Sequence, residues 1–346
     1  MLYYNIAHCF IRNEQPKGQH GEVMQSLLQA TQAYTIVQNE QRENRLSHAY
    51  LLLFDDARNL RDALKVFAKL LLVGDRTDAD ALRIQKLIDT ETFSDCLFYP
   101  EAGKKLTVED ANAIHEENTL SPVETDTKLF VLGDFAEANT QTQNKLLKLL
   151  EEPPKHVRFL LGATSAFPVL TTVLSRSKKL EIPAFDIGQV TDCLTRIYGD
   201  KYDEETLRFC AAASEGNVGN AQNLLEGGHY KTLTDNAFDL ILCPSHRLPV
   251  AVKQISETKY QRELLSTMRI IFRDALILKS QSDKANKFVM LRSEKEKLQQ
   301  VTTVYALNTL LYAQECISEA EKQVKFNTVF PQCVELLVAK IRKENK

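Results

Sequence analysis

The first half of the chain alternates short apolar runs with segments whose apolar residues recur at helical spacing. Residues 49–54 (AYLLLF) form a continuous apolar run, which is typical of a strand covered on both faces. We predict four further strands at residues 95–99 (DCLFY), 128–133 (KLFVLG), 157–163 (VRFLLGA) and 179–182 (KLEI). Strands that alternate with helices indicate a parallel sheet with right-handed crossovers, and therefore a three-layer α/β/α domain.

One helix of this region can be placed closely, because its apolar residues follow the i, i+3, i+4, i+7 spacing of a buried face. They are Leu60, Ala63, Leu64, Phe67, Ala68 and Leu71. Residues 22–33 also read as helical. Residues 1–20 have no pattern that assigns them a role.

After Pro183 no further convincing strand appears. Three short helices, each followed by glycine as helix ends often are, are predicted at QVTDCLTRIYG, ETLRFCAAASEG and NAQNLLEGG. Long amphipathic segments follow, including residues 260–280 and 294–324, with CPSHRLP as a break between two helices. This pattern predicts an all-helical bundle at the C-terminal end.

Composition and charge limit the function further. The 346 residues exceed one ordinary core, and 43 basic against 46 acidic side chains give a net charge of −3. A protein that held DNA alone would usually be basic, so we expect any DNA contact to be shared with partners. The apolar runs are too short for a membrane helix of ~20 residues, and no signal peptide is apparent, so we predict a cytoplasmic protein with no membrane contact.

The cysteines predict neither disulfides nor a metal centre. They are scattered and form no CxxC pair, which suits buried, reduced thiols rather than structural zinc. The seven are Cys9, Cys96, Cys193, Cys210, Cys243, Cys316 and Cys333.

Residues 144–177 carry the most specific motif of the chain. The run NKLLKLLEEPP has an apolar stripe and ends at two prolines, so it predicts a helix with a sharp end. It is followed by a strand, VRFLLGAT, and a loop, LTTVLSRS. Together with HAYL (48–51) and KVFAKLLL (65–72), this run resembles the AAA+ ATPase module of the bacterial clamp-loader family. The resemblance covers residues 48–182 and continues weakly through SEGNVGNAQNLL (214–225).

The phosphate loop that such a module needs is absent. An active member has GxxxxGK[ST] between the first strand and its helix, where glycines admit phosphates, lysine neutralises them and a hydroxyl holds magnesium. In the register of the resemblance these four positions fall on Phe54, Asn59, Leu60 and Arg61. Asp55 and Asp56 add negative charge where phosphates would lie. We therefore predict that this chain binds no nucleotide, no metal and no other cofactor.

At other positions that act on nucleotide in the family, we predict no such role in this chain. The aspartate pair expected after the third strand corresponds to Gly133 and Asp134, and we interpret Asp134 as a solvated turn residue. Thr164, where the family has a polar residue near the γ-phosphate, is interpreted as a strand-end polar group. The arginine that senses nucleotide in the lid of active members is missing, since Asn217, Gly219 and Asn220 stand near its place.

One functional residue of the family remains. The family pattern Ser-Arg-Cys corresponds here to Ser175, Arg176 and Ser177. The resemblance implies that Arg176 projects into the ATP site of a neighbouring subunit, with Ser175 as its motif neighbour. Guanidinium suits that task because it is always charged and can bind two phosphate oxygens.

We therefore predict an AAA+ α/β/α domain with a five-stranded parallel sheet (1–184), a small helical lid (185–233) and an all-helical oligomerisation collar (234–346). The resemblance implies a non-catalytic subunit of a DNA polymerase III clamp loader. Its partners would be the gamma/tau ATPase subunits and the delta subunit, with the sliding clamp and primer-template DNA reached through the complex. Two alternatives stay open. One is a diverged scaffold or regulatory paralogue, and the other, disfavoured by the altered loop, is an ATP-hydrolysing subunit.

Overall fold

The computed structural model describes residues 17–280, 285–325 and 328–345. Its sheet has five parallel strands in the order β2-β3-β4-β1-β5. The strands are β1 Ala49–Phe54, β2 Cys96–Tyr99, β3 Lys128–Asp134, β4 Val157–Ala163 and β5 Lys178–Ile182. Each predicted strand is confirmed to within one residue at either end.

The helices that accompany the sheet cover both of its faces. They are α1 Lys17–Gln29, α2 Gln32–Arg42, α3 Leu60–Val73, α4 Ala79–Asp89, α5 Val108–Glu117, α6 Thr140–Glu151 and α7 Thr171–Leu174. The buried side chains form two clusters, one against the α3 face and one against the α5 and α6 face. The predicted α/β/α layers are therefore confirmed.

Beyond β5 the described residues contain helices and no strands. These helices are α8 Ile187–Tyr198, α9 Glu204–Ala213, α10 Val218–Glu226, α11 His229–Leu242, α12 Leu248–Gln254, α13 Gln261–Lys279, α14 Lys295–Val304, α15 Leu307–Lys325 and α16 Phe330–Glu344. The helical C-terminal region is thus confirmed. The domain boundaries after residues 184 and 233 stay predictions, and the second falls within α11.

Some helix boundaries differ from the prediction. The expected helix at 22–33 is interrupted at Thr31, whose hydroxyl donates to Leu28 and accepts from the N–H of Tyr34, so that α1 ends and α2 begins. The expected helix at 294–324 is interrupted at Tyr305, which is extended. CPSHRLP includes a 3₁₀ turn and the start of α12 rather than a simple break.

Candidate functional site

The turn between β1 and α3 lies where a phosphate loop would be, and its own side chains fill it. Asp56 is 1% exposed. Its carboxylate accepts hydrogen bonds from the backbone N–H of Asn59 at 3.0 Å and from Nδ2 of Asn59 at 2.8 Å. The carboxylate thus closes the turn onto the start of α3.

Leu60 and Arg61, in the lysine and hydroxyl positions of the phosphate-loop pattern, have structural contacts instead. Leu60 is 3% exposed and faces the sheet. There a Cβ on Gly162 would lie 3.2 Å from Leu60 Cδ1. Arg61 donates to both carboxylate oxygens of Glu91, with Nε at 2.7 Å from Oε1, and also to the carbonyl of Pro100. Neither side chain is placed to receive a phosphate.

Helix α10 closes over the same turn. The N–H of Gly219 donates to Asp56 Oδ2 at 2.8 Å. Arg58 pairs with both carboxylate oxygens of Glu226, at 2.9 and 2.7 Å, and with Asn223 at 2.8 Å. Burial raises the pKa of Glu226, but hydrogen bonds from Arg58 and Tyr198 outweigh burial and leave the pKa below its usual value. The turn and the first helices after the sheet are therefore joined by charged groups.

A cavity of about 260 Å³ remains beside the turn, and its lining is acidic. Four carboxylates and one guanidinium face it, from Asp55, Asp56, Glu215, Glu263 and Arg262. Burial, with smaller contributions from the carboxylates of Glu215 and Asp55, raises the pKa of Glu263. A triphosphate, itself strongly negative, would be repelled from such a lining.

Asp134 and Thr164 connect the carboxyl ends of the neighbouring strands β3 and β4. Oδ1 of Asp134 accepts from the N–H of Ala136 and of Thr164, and Oδ2 accepts from the Thr164 hydroxyl at 2.9 Å. The prediction that Asp134 is a solvated turn residue is wrong, because its carboxylate is half-buried and bonded across the sheet. Thr164 is the strand-end polar residue that was predicted.

Arg176 follows α7 and is held by its own chain. Its side chain is 34% exposed and its Nη2 lies 2.8 Å from Oε1 of Glu151, at the end of α6. Nη1 donates to the Thr172 carbonyl at 2.9 Å and to Oγ of Ser175 at 3.2 Å. Ser177 is buried at 8% exposure. Both terminal nitrogens of Arg176 are thus engaged within the chain while part of the guanidinium faces solvent.

The roles of the altered loop and of Arg176 stay predictions, and sequence reasoning missed the contacts of Arg58, Glu226 and Glu151. The acidic end of NKLLKLLEEPP was visible, yet nothing in the sequence paired it with an arginine 25 positions away. Arg58 and Glu226 lie 168 positions apart and belong to no recognisable motif.

Among the residues that the structure describes, no cluster of histidine, cysteine or carboxylate side chains has the arrangement of a metal site. Six cysteines are buried and free, as predicted, and the seventh, Cys9, lies outside the described residues. No helix in the described ranges has the length and apolar character that a bilayer requires.

Comparison with known proteins gives the class. Residues 29–186 match the family model described as DNA polymerase III, delta subunit. The tau/gamma subunit of Haemophilus influenzae is 28% identical over 198 residues, which are 56% of this chain and 29% of that protein. The delta′ subunit of Bacillus subtilis is 24% identical over 314 residues, covering 88% of this chain and 93% of the relative.

Among solved structures, a gamma subunit-related protein of Thermotoga maritima has a TM-score of 0.37 at 16% identity, with 94% of this chain and 100% of that chain covered. The delta protein of the Bacillus subtilis clamp loader has a TM-score of 0.32 at 12% identity, covering 89% and 99%. The chain spans 29% of the length of the Haemophilus influenzae tau/gamma subunit and 20% of the length of the Escherichia coli tau subunit.

The five-stranded parallel sheet and the helical region that follows it have the AAA+ architecture, and the sequence matches are to clamp-loader subunits. The chain is similar to clamp-loader subunits of DNA polymerase III, and its resemblance to the delta-prime type extends over most of its length.

Proposed function

We propose that this chain is a non-hydrolysing, delta-prime-like subunit of a DNA polymerase III clamp loader. It binds no nucleotide, and it lends Arg176 to the ATP site of a neighbouring subunit during loading of the sliding clamp onto DNA. Its partners are gamma/tau-type ATPase subunits and a delta-type subunit in the cytoplasm. The clamp and primer-template DNA are reached through the assembly.

One observation carries the first part of the proposal. The carboxylate of Asp56 is buried in the turn that would hold the phosphates, and the turn is sealed by α10 through Gly219. A nucleotide would have to displace the Asp56 carboxylate from three hydrogen bonds and then approach the three other carboxylates of the lining.

The role of Arg176 is supported by its place at the end of α7 and by its partial exposure. In the part of the chain that the structure describes, the hydrogen bonds and the ion pair of Arg176 involve Nη1 and Nη2, and none of them involves Nε. Guanidinium provided to a neighbour's phosphates can be worth about 10³- to 10⁵-fold in rate.

The experiment has two arms. Calorimetric titration of the isolated chain with Mg²⁺–ATP should show no binding at millimolar nucleotide, with a gamma/tau-type subunit as positive control. In the reconstituted loader, Arg176→Ala should leave assembly intact and abolish hydrolysis at the one site that it serves. Arg176→Lys keeps the positive charge but loses the planar guanidinium that can bind two phosphate oxygens. It should therefore retain little of the hydrolysis at that site.

Detectable ATP binding would overturn the first part, and unchanged clamp-stimulated ATPase in Arg176→Ala the second. A scaffold or regulatory paralogue is the second candidate, because the ion pair with Glu151 gives the Arg176 side chain a structural contact within its own chain. Failure to co-purify with the other loader subunits would favour that candidate.

A further inference from the structure

We propose that the Asp56 carboxylate is a built-in anion that fills an anion site between the turn and α10, and that it fixes α10 against the sheet without any ligand. This inference concerns the isolated chain and does not depend on the role of Arg176. The sequence suggested only that Asp56 repels phosphate. In the structure the Asp56 carboxylate accepts hydrogen bonds from Asn59 and from the N–H of Gly219.

The site is formed from two helix starts. Gly219 is the second residue of α10, a nine-residue helix whose first turn has N–H groups without partners inside the helix. One of these N–H groups donates to Oδ2 of Asp56 at 2.8 Å. From the other side, the N–H and Nδ2 of Asn59, at the start of α3, donate to the same carboxylate. Helix N-termini favour anions, and here both converge on one that the chain itself carries.

Burial makes this arrangement a built site. Asp56 and Asn59 are each 1% exposed, and Gln222 of α10, fully buried, accepts from Nδ2 of Asn59 at 3.2 Å. Oδ1 of Asn59 and Nε2 of Gln222 have no hydrogen-bond partner within the described part of the chain. The carboxylate accepts three of the hydrogen bonds donated in this buried space.

Gly219 provides a second, independent observation. A Cβ at this position would lie 2.1 Å from Oδ1 of Asp56 and 2.8 Å from Cβ of Arg58. Real Cβ atoms do not approach other atoms so closely, so only glycine lets the helix backbone reach the carboxylate. Gly219 lies near the position predicted to correspond to the nucleotide-sensing arginine of the family. Here it contacts the Asp56 carboxylate instead.

The consequence concerns motion. A helix that docks on a nucleotide phosphate is released when the nucleotide leaves, whereas a carboxylate in the same chain is always present. Arg58, paired with Glu226 and Asn223, holds the far end of α10 to the same turn. The position of α10 relative to the sheet is therefore set by the sequence and is indifferent to ATP.

The test uses the full chain with Asp56→Ala, and with Asp55→Ala as the matched control. Asp55 is the adjacent acid, but its side chain is 79% exposed and lies 3.5 Å from Arg262. Asp56→Ala should lower Tm and speed amide exchange in residues 218–226 by about tenfold or more, because buried donors lose their acceptor. Asp55→Ala should leave amide exchange in residues 218–226 within about twofold of that in the unaltered chain.

Chemical rescue gives the decisive comparison. Sodium formate, a free carboxylate small enough for the vacated space, should raise the Tm of Asp56→Ala above that in sodium chloride of equal ionic strength. It should not do so for the unaltered chain or for Asp55→Ala. Inorganic phosphate should act in the same direction if the space admits its larger volume.

Three outcomes would overturn the proposal: unchanged exchange in residues 218–226 of Asp56→Ala, formate rescue equal in the Asp55 control, or no rescue at all. Should Asp56→Ala fail to fold, Asp56→Asn keeps one acceptor oxygen and loses the charge, and the same exchange measurement applies to it. None of these measurements uses nucleotide or another subunit. Their result can therefore be interpreted even if the proposed function is wrong.

Discussion

The hydroxyl of Ser177 is buried, and its oxygen has no hydrogen-bond partner among the described residues. A buried hydroxyl without a partner costs about 1–3 kcal/mol relative to one that is satisfied. The family's cysteine at this position would place a less polar group in the same space. The serine is therefore a local source of instability next to Arg176.

We expect Ser177→Cys to raise the free energy of unfolding by about 1 kcal/mol, because a thiol is less costly to bury than an unpaired hydroxyl. Urea denaturation followed by circular dichroism measures the change. Ser175→Cys is the control, since the Ser175 hydroxyl is exposed and donates to the Thr172 carbonyl. A loss of stability in Ser177→Cys would mean that the hydroxyl has a partner in solution.

Glu151 restrains Arg176, and this restraint can be measured in the isolated chain. The Glu151 and Arg176 side chains are 44% and 34% exposed, so the pair is screened by solvent and contributes only a few tenths of a kcal/mol. We expect Glu151→Gln to increase the rate of phenylglyoxal labelling at Arg176 by about twofold, an increase that high salt removes. Glu152→Gln, the neighbouring acid, should leave labelling unchanged.

Glu263 gives the chain a pH dependence. Burial, with the nearby carboxylates of Glu215 and Asp55, raises the pKa of Glu263 in the folded state. The folded state therefore binds this proton more tightly than the unfolded chain does. Stability from this group is highest below the usual glutamate range and falls as pH rises through the raised pKa.

We expect Glu263→Gln to raise Tm at neutral pH and to have little effect near pH 4. The glutamine retains an oxygen that can accept from Nδ2 of Asn220, as Oε1 of Glu263 does at 2.8 Å. Glu257→Gln, at an exposed position, is the control. An equal Tm gain at both pH values would show that proton binding is not the cause.

At the scale of elements, α3 is packed as a structural helix from its first residue. Gly162 of β4 lets Leu60 and Leu64 approach the sheet, since a Cβ on Gly162 would lie 2.8 Å from Leu64 Cδ1. Leu60 itself is 3% exposed. Leu60, which the sequence resemblance aligns with a phosphate-binding lysine, is thus part of the core.

Restoring that lysine should therefore harm the protein without restoring nucleotide binding. We expect Leu60→Lys to lower the free energy of unfolding by about 3 kcal/mol or more, because an ammonium group would be buried without a partner. Leu60→Met conserves volume and should cost less than about 1.5 kcal/mol. Denaturation curves and calorimetric titration with Mg²⁺–ATP check the two halves, and measurable ATP binding by Leu60→Lys would contradict the structural account of the turn.

The elements were largely predictable because their patterns are local. The unbroken apolar run of β1 and the apolar stripe of α3 each predict a buried element from neighbouring residues alone. Both elements lie where they were expected. The interruption at Tyr305 was not predictable. Its hydroxyl donates to the carbonyl of Ile241, 64 positions away, while the surrounding residues keep helical periodicity.

The same distinction applies to the site. Loss of the phosphate loop could be inferred from residue types at known spacing, because each position of that loop has a defined chemical task. The hydrogen bond from Gly219 to Asp56 joins residues 163 positions apart, so no local sequence pattern predicts it. The sequence therefore predicts loss of nucleotide binding, whereas the contact between Asp56 and α10 is visible only in the structure.

At the scale of the whole molecule, the larger buried cluster does not stop at the predicted domain boundaries. It is continuous from Val23 in α1, through Leu224 in α10, to Ile341 in α16. The charged contacts between Asp56, Arg58 and α10 lie at the same junction. Parts that share one core are expected to lose structure together.

We therefore expect differential scanning calorimetry to show one transition, with the van't Hoff enthalpy close to the calorimetric enthalpy. Leu224→Ala, in α10, removes a fully buried side chain and should cost about 2–5 kcal/mol. It should move the whole transition to lower temperature without splitting it. Leu146→Ala, at the opposite face of the sheet, should do the same, since both buried clusters rest on one sheet. A resolved early transition in Leu224→Ala alone would show instead that the helices after β5 unfold as a separate unit, and it would locate the domain boundary that the sequence places after residue 184.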